Sequence, residues 1–305
     1  MTATGTQAPD STRGSRRTTP CLPFAVESIA FWAPTLPSWH AAEAAFNGRG
    51  ALADPPATRP APQLLAPAER RRVPDSVALA LEVASQAVQG SGRDPRTLAT
   101  IFTSSEGDLS INDYMCSTLA TSPALISPTK FHNSVHNAAA GYWTIATGCM
   151  AASTATSGFD ASFAGGLLEA ATQVAAEREP VLLVAFDVPA VGALASVTRS
   201  VGLLACAFVL APQGHAGVPA SQSNADERAS QGDRDAPASF EASLVAVESS
   251  GVPPLRSSAA RSLAGNAMSG CLPWLEALAT KDRSATMLPL GHRLALQLRP
   301  TVPSA

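Results

Sequence analysis

Unbroken apolar runs set the frame of this 305-residue chain. Val181–Asp187 (VLLVAFD) and Leu203–Leu210 (LLACAFVL) lack polar alternation, the pattern of strands buried on both faces of a sheet that carries helices on each side. Phe24–Trp32 (FAVESIAFW), Leu98–Thr103 (LATIFT), Ser153–Ser157 (STATS) and Leu244–Val247 predict further strands, and Arg293–Leu298 (RLALQL) ends a closing hairpin-like pair. Helical spacing predicts helices over Trp39–Phe46, Pro74–Gly92, Ile111–Leu119, Asn137–Thr147 and around Trp274–Ala279. In the second of these Val77, Leu81 and Val88 share a face, Asp75 or Ser76 is placed to cap the start, and Gly90 and Gly92 stop the end. A further helix from Asp160 puts Phe163, Leu167, Leu168, Ala171 and Val174 on one stripe.

Two segments lose this periodicity. Residues 1–22 are rich in Thr, Ser, Gly, Arg and Pro and read as a disordered leader. Residues 213–240 turn polar and read as a disordered surface insertion. The expected organisation is therefore a leader, a main domain over 23–212, the insertion, and a segment over 241–300 whose strands and helix complete the domain. No sequence repeat is visible.

Composition narrows the class. A hydrophobic fraction of 46% and a net charge of −3 fit a globular chain with a large core, and give no reason to expect nucleic acid or an anionic membrane as partner. No apolar run reaches the roughly 18 residues of a membrane span. The five cysteines (Cys21, Cys116, Cys149, Cys206, Cys271) are scattered, odd in number and without a CxxC pair, so neither a zinc site nor a disulfide framework is expected and a reducing cytoplasm fits. The basic triplet Arg70-Arg71-Arg72 reads as a solvated helix end. No cofactor motif is present.

Chemistry concentrates in Phe131–Asp160, FHNSVHNAAAGYWTIATGCMAASTATSGFD. An Asn-rich turn leads into a helix of Ala and Gly that carries Tyr142 and Trp143. A Gly148 break, a strand of small residues and a sharp turn into the next helix follow. Small residues on a helix face let a second backbone come close, and STATS cannot fill a core alone, so both imply a close-packed neighbour. Asp160 falls at or next to the N-cap of the following helix, where a carboxylate accepts free N–H groups and meets the positive end of the dipole, together contributing about 1 kcal/mol.

Nearly the whole chain outside the leader resembles β-ketoacyl synthase-like proteins that hold only the N-terminal, thiolase-type half of a ketosynthase, the chain length factor-like members of aryl polyene-type biosynthetic clusters. The resemblance runs through WAPTLPSW (Trp32–Trp39), PAPQLLAPAERRR (Pro60–Arg72), SPTKFHNSVHNAAAGYWTIATG (Ser127–Gly148), STATSGFDASFAGGLLEAA (Ser153–Ala171) and VLLVAFDVP (Val181–Pro189). It implies a layered thiolase-like α/β fold and a place beside a complete ketosynthase in polyene or fatty acid-type biosynthesis, with an acyl carrier protein as indirect partner. Asn137, Gly141, Tyr142, Trp143, Ser153, Thr154 and Thr156 are the expected contact residues. Catalytic relatives carry a nucleophilic Cys at the turn where this chain has Asp160, and two His from a second half of the fold. Beyond Asp160 the histidines are His215, in the insertion, and His292, beside the last strand, and neither stands in a matching motif. A Claisen condensation needs a thiolate to hold the acyl chain and donors for the developing oxyanion. Asp160 is thus a vestigial nucleophile position, and no independent activity is expected.

Other constellations read as structural. His132 and His136 are four apart, as zinc ligands on a helix would be, but HNSVH lacks an internal Glu and a third ligand, so no metal site is expected. An alternative function is a stand-alone acyl-thioester enzyme in which Asp160 pairs with His132 or His136 as acid and base. Ser104–Asp108 (SSEGD) reads as a capped loop, Gly165-Gly166 as a point of close helix–sheet packing, and Cys149 as a buried thiol.

Overall fold

A computed structural model of the chain describes residues 20–198, 200–214, 238–248 and 251–301. In chain order its elements are β1 (Cys21–Trp32), α1 (Trp39–Phe46), α2 (Pro67–Arg70), α3 (Asp75–Ser91), β2 (Ala99–Thr103), α4 (Leu109–Thr121), α5 (Pro128–His132), α6 (Ala138–Thr147), β3 (Ser153–Thr156), α7 (Ser162–Glu177), β4 (Val181–Asp187), β5 (Leu204–Ala211), β6 (Ala238–Ala246), α8 (Ser258–Ser262), α9 (Leu272–Ala279), β7 (Thr286–Gly291) and β8 (Leu294–Thr301). The strands form one sheet in the order β3-β2-β4-β5-β1-β6-β8-β7. β3, β2 and β4 run parallel, and every other neighbouring pair is antiparallel.

Period-two alternation in the two unbroken apolar strands feeds two cores. Leu182, Val184 and Phe186 of β4, with Ala205, Ala207 and Val209 of β5, face the α3 and α6 layer. Val181, Leu183 and Ala185, with Cys206, Phe208 and Leu210, face α7 and α9. The result is an α/β/α sandwich. Trp274 of α9 sits among Phe208, Phe240, Phe163 and Phe24 at centroid distances of 4.8, 5.5, 6.1 and 6.3 Å, which ties α9 to β5, β6, α7 and β1. Each such pair adds about 0.5–1.5 kcal/mol beyond its buried area.

Several element boundaries move from the sequence expectation. β1 already includes Cys21 and Leu22, which the leader was expected to hold, because they pair with Ser243 and Ala242 of β6. β6 starts at Ala238, inside the expected insertion, because its polar residues alternate with the buried Phe240 and Ala242. The rest of the leader (1–19), most of the insertion (215–237) and His215 lie outside the described residues. The cap of α3 is also corrected: Pro74 takes the N-cap position with no side-chain bond, and Ser76 donates instead to Asp108 Oδ2 at 2.7 Å. Its C-terminal end follows expectation, with Gly92 in the left-handed region at φ 72°. Glu27, the one acidic residue of β1, falls at a register shift in the pairing with β5, and its carboxylate takes a two-point bond from Arg93 just past α3.

Cys149, Cys206 and Cys271 are buried, whereas Cys21 and Cys116 are exposed. Among the described residues no helix is long and apolar enough to cross a membrane.

Candidate functional site

The chain leaves β3 and enters α7 through a single 3-10 turn, Phe159–Ala161. Phe159 adopts φ 50°, a left-handed conformation that costs a non-glycine residue about 1–2 kcal/mol, so its surroundings must enforce it. They do so through its carbonyl, which accepts from Ser105 Oγ at 3.1 Å and from Ser162 Oγ at 2.7 Å. Ser162 Oγ also accepts from the Gly158 N–H at 2.9 Å. Thr103 Oγ1 donates to the Ser162 carbonyl at 2.9 Å, fixing the start of α7 to the end of β2.

Behind the turn stands Asp187, the last residue of β4 and almost fully buried. Its carboxylate accepts from Ser104 Oγ at 2.6 Å and from the Ser105 N–H at 3.0 and 3.1 Å. Burial pushes the Asp187 carboxyl above the usual carboxylate range, against the pull of these donors. Asn266 donates to the carbonyls of Asp187 and Gly202 and accepts from the Met268 N–H, which joins the 3-10 segment Ala267–Cys271 to the same network. The sequence reading did not place Asp187, Ser105 or Asn266 here. The available signal was the lone polar residue ending VLLVAFD.

Outside this network the turn borders a cleft of about 370 Å³. Phe159, Asp160 and Ala164 form one side and Leu288, Leu290 and Gly291 of β7 form the other. Asp160 is exposed, and its carboxylate makes no hydrogen bond or ion pair with the described residues. It stands next to the N-cap of α7, as the sequence suggested, but its carboxylate accepts no N–H there. Ala161 takes the N-cap position, and Ser162 supplies the local side-chain bonds. The turn carries an exposed carboxylate, and among the described residues no histidine or cysteine lines the cleft.

His132 and His136 do not join Asp160. His136 Nε2 lies 3.1 Å from the Ser104 carbonyl, and the His132 ring packs edge-on to Tyr142 at 6.3 Å. Neither lines the cleft, so the acid–base pairing expected as the alternative is not formed. Among the described residues no three His, Cys, Asp or Glu side chains gather as a metal set would. The SSEGD loop is capped by its own residues: Asp108 Oδ1 accepts from the Ile111 N–H, and Ser104 Oγ from the Gly107 N–H. Cys149 is buried with its thiol on the Leu98 carbonyl.

The expected contact residues divide. Asn137 is exposed at the head of α6, and a Cβ on Gly141 would meet nothing within 4 Å. Tyr142 is half-buried. Trp143 is a correction: at 1% exposure it belongs to the core under α3, so it anchors α6 and faces no partner. The outward apolar residues on and just after this helix are Ile145, 81% exposed, and Met150, 94% exposed, which the sequence reading passed over. Ser153 is exposed and Thr154 and Thr156 are half-buried on β3, the outer strand of the sheet. The Thr100 N–H bonds to the Ala152 carbonyl and the Ser104 N–H to that of Thr156. Alternation along a parallel ladder therefore leaves the N–H and C=O groups of Ser153 and Ala155 on the open side.

Known proteins share this fold. The ketosynthase (ApeO) in complex with its chain length factor (ApeC) from Xenorhabdus doucetiae aligns at a TM-score of 0.64 and 19% identity, over 91% of this chain and 99% of that one. The ishigamide ketosynthase/chain length factor aligns at 0.62 and 13%, over 92% and 100%. The type II PKS acyl-carrier protein in complex with its ketosynthase bound to the hexaketide, AntDE:AntF, aligns at 0.64 and 13%, over 92% and 99%. At these identities the likeness establishes a ketosynthase-type, thiolase-like fold. No curated protein sequence matches the chain. The model of the β-ketoacyl synthase N-terminal domain matches residues 39–252, well over half of the sequence, and the chain therefore belongs to that family.

Proposed function

We propose that this protein is a non-catalytic ketosynthase-like subunit of the chain length factor type, which pairs in the cytoplasm with a complete β-ketoacyl synthase in polyene or fatty acid-type biosynthesis. The observation that carries the reading is the difference between the two edges of the sheet. β7, at one edge, contains Pro289, which has no N–H to offer a further strand. β3, at the other, has neither proline nor charge and presents the free backbone groups of Ser153 and Ala155. The α6 side adds Ile145 and Met150, two large apolar side chains almost fully in water. An unprotected edge with exposed apolar neighbours is a surface suited to a partner's strand and helix.

The Asp160 turn supports the non-catalytic half of the reading. A carboxylate cannot hold an acyl group as a thioester, and among the described residues the cleft beside it has no histidine to stabilise an oxyanion. Two of the similar structures are named as ketosynthase with chain length factor, and a third as ketosynthase with acyl-carrier protein, which fits a subunit reaching its carrier through the partner. The test is co-expression with a complete ketosynthase from the same genome, followed by size-exclusion chromatography. A one-to-one complex is the expected result. A stable monomer that never co-elutes would remove the proposal.

A further inference from the structure

We propose that the cleft beside Asp160 is a binding site for an aliphatic chain that ends in an ammonium group. This goes beyond the docking reading, because it needs no partner chain. The volume of about 370 Å³ falls within the range of small-molecule sites. Phe159, Ala164, Leu288, Pro289 and Leu290 give it apolar walls, and Phe159, 70% exposed, stands at its mouth. Among the described residues Asp160 is the one ionisable residue lining it, and none of them neutralises it.

Charge decides the class of head group. The N-terminal end of α7 presents the equivalent of roughly half a positive charge, and a full carboxylate immediately before its N-cap leaves the local sign negative. An ammonium placed on Asp160 gains an ion pair while its chain leaves water against the apolar wall. A fatty acid carboxylate or a phosphate meets repulsion at the same point. The α6 and β3 face plays no part, so the two proposals can fail separately.

The experiment is isothermal titration of the full chain with decylamine, decanol and decanoate, each below its micelle concentration. Decylamine is expected to bind most tightly and decanoate least. Asp160→Asn should weaken decylamine by roughly threefold to fivefold and leave decanol unchanged, the size expected of one solvent-exposed ion pair. Gly291→Phe, at a position where an added Cβ meets nothing within 4 Å, should fill the cleft and reduce binding of decylamine and decanol while circular dichroism stays native. Equal affinities for amine and acid would overturn the proposal. So would decylamine binding that ignores both substitutions, or no binding at all. Co-elution with a ketosynthase is unaffected by either outcome.

Discussion

Replacing Gly166 by alanine puts a methyl group 2.8 Å from Thr103 Cγ2, 3.0 Å from Thr103 Cβ and 3.3 Å from Leu183 Cδ1, in a part of α7 pressed against β2 and β4. Overpacking of this kind costs about 1–3 kcal/mol, while exchanging glycine for alanine inside a helix returns about 1 kcal/mol. The expected net effect is destabilisation by about 1 kcal/mol, or roughly 2–4 °C in Tm for a chain of this size. Its neighbour is the control. A Cβ on Gly165 meets nothing within 4 Å, so Gly165→Ala should stabilise by up to about 1 kcal/mol. Thr103→Ser removes the nearest clashing carbon and keeps the hydroxyl that holds the Ser162 carbonyl, so it should recover part of the loss in the Gly166→Ala background. Urea unfolding followed by circular dichroism compares the parent with these three variants. Equal shifts at 165 and 166, or no rescue by Thr103→Ser, would refute the claim that helix–sheet approach requires glycine at 166 alone.

Three further outcomes follow from the same packing and electrostatics. Burial raises the Asp187 carboxyl, so the folded state keeps this proton at pH values where the unfolded chain has lost it; stability should fall as pH rises from the ordinary aspartate range through the raised value. Asp187→Asn should flatten that slope in urea midpoints taken across pH, and an unchanged slope would contradict the assignment. Trp143→Ala should cost about 3–5 kcal/mol, measured by thermal unfolding, because it empties a core position beneath α3. Ile145→Asp should leave unfolding within about 0.5 kcal/mol of the parent and weaken co-elution with a ketosynthase, since that side chain is already in water.

Legibility from the sequence followed the range of the interactions. β4, with every position buried, starts and ends where its apolar run does. α6 matches its predicted span because a turn precedes it and Gly148, at φ 70°, stops it. At Gly165-Gly166 sequence pattern implied close packing at both, but only three-dimensional approach shows that Gly166 alone faces Thr103. Non-local features were hidden. β6 looked polar because half its residues face water, and its partners β1 and β8 lie far away in sequence. The wall that β7 gives the Asp160 cleft depends on how the C-terminal strands return to α7, which no local pattern encodes. Trp143 was expected at a partner contact, yet the small residues around it let α6 lie close enough to α3 to bury it.

The central claim, that the open β3 edge is where a complete ketosynthase docks, is tested most directly by Ala155→Pro. The Ala155 N–H points away from β2, so proline there removes no bond inside the sheet and blocks only an added strand. Size-exclusion chromatography of the co-expressed pair, with light scattering for mass, should show a one-to-one complex for the parent. The Ala155→Pro chain should elute as a folded monomer with unchanged thermal unfolding. A variant that still forms the complex with parental affinity would contradict docking through this edge.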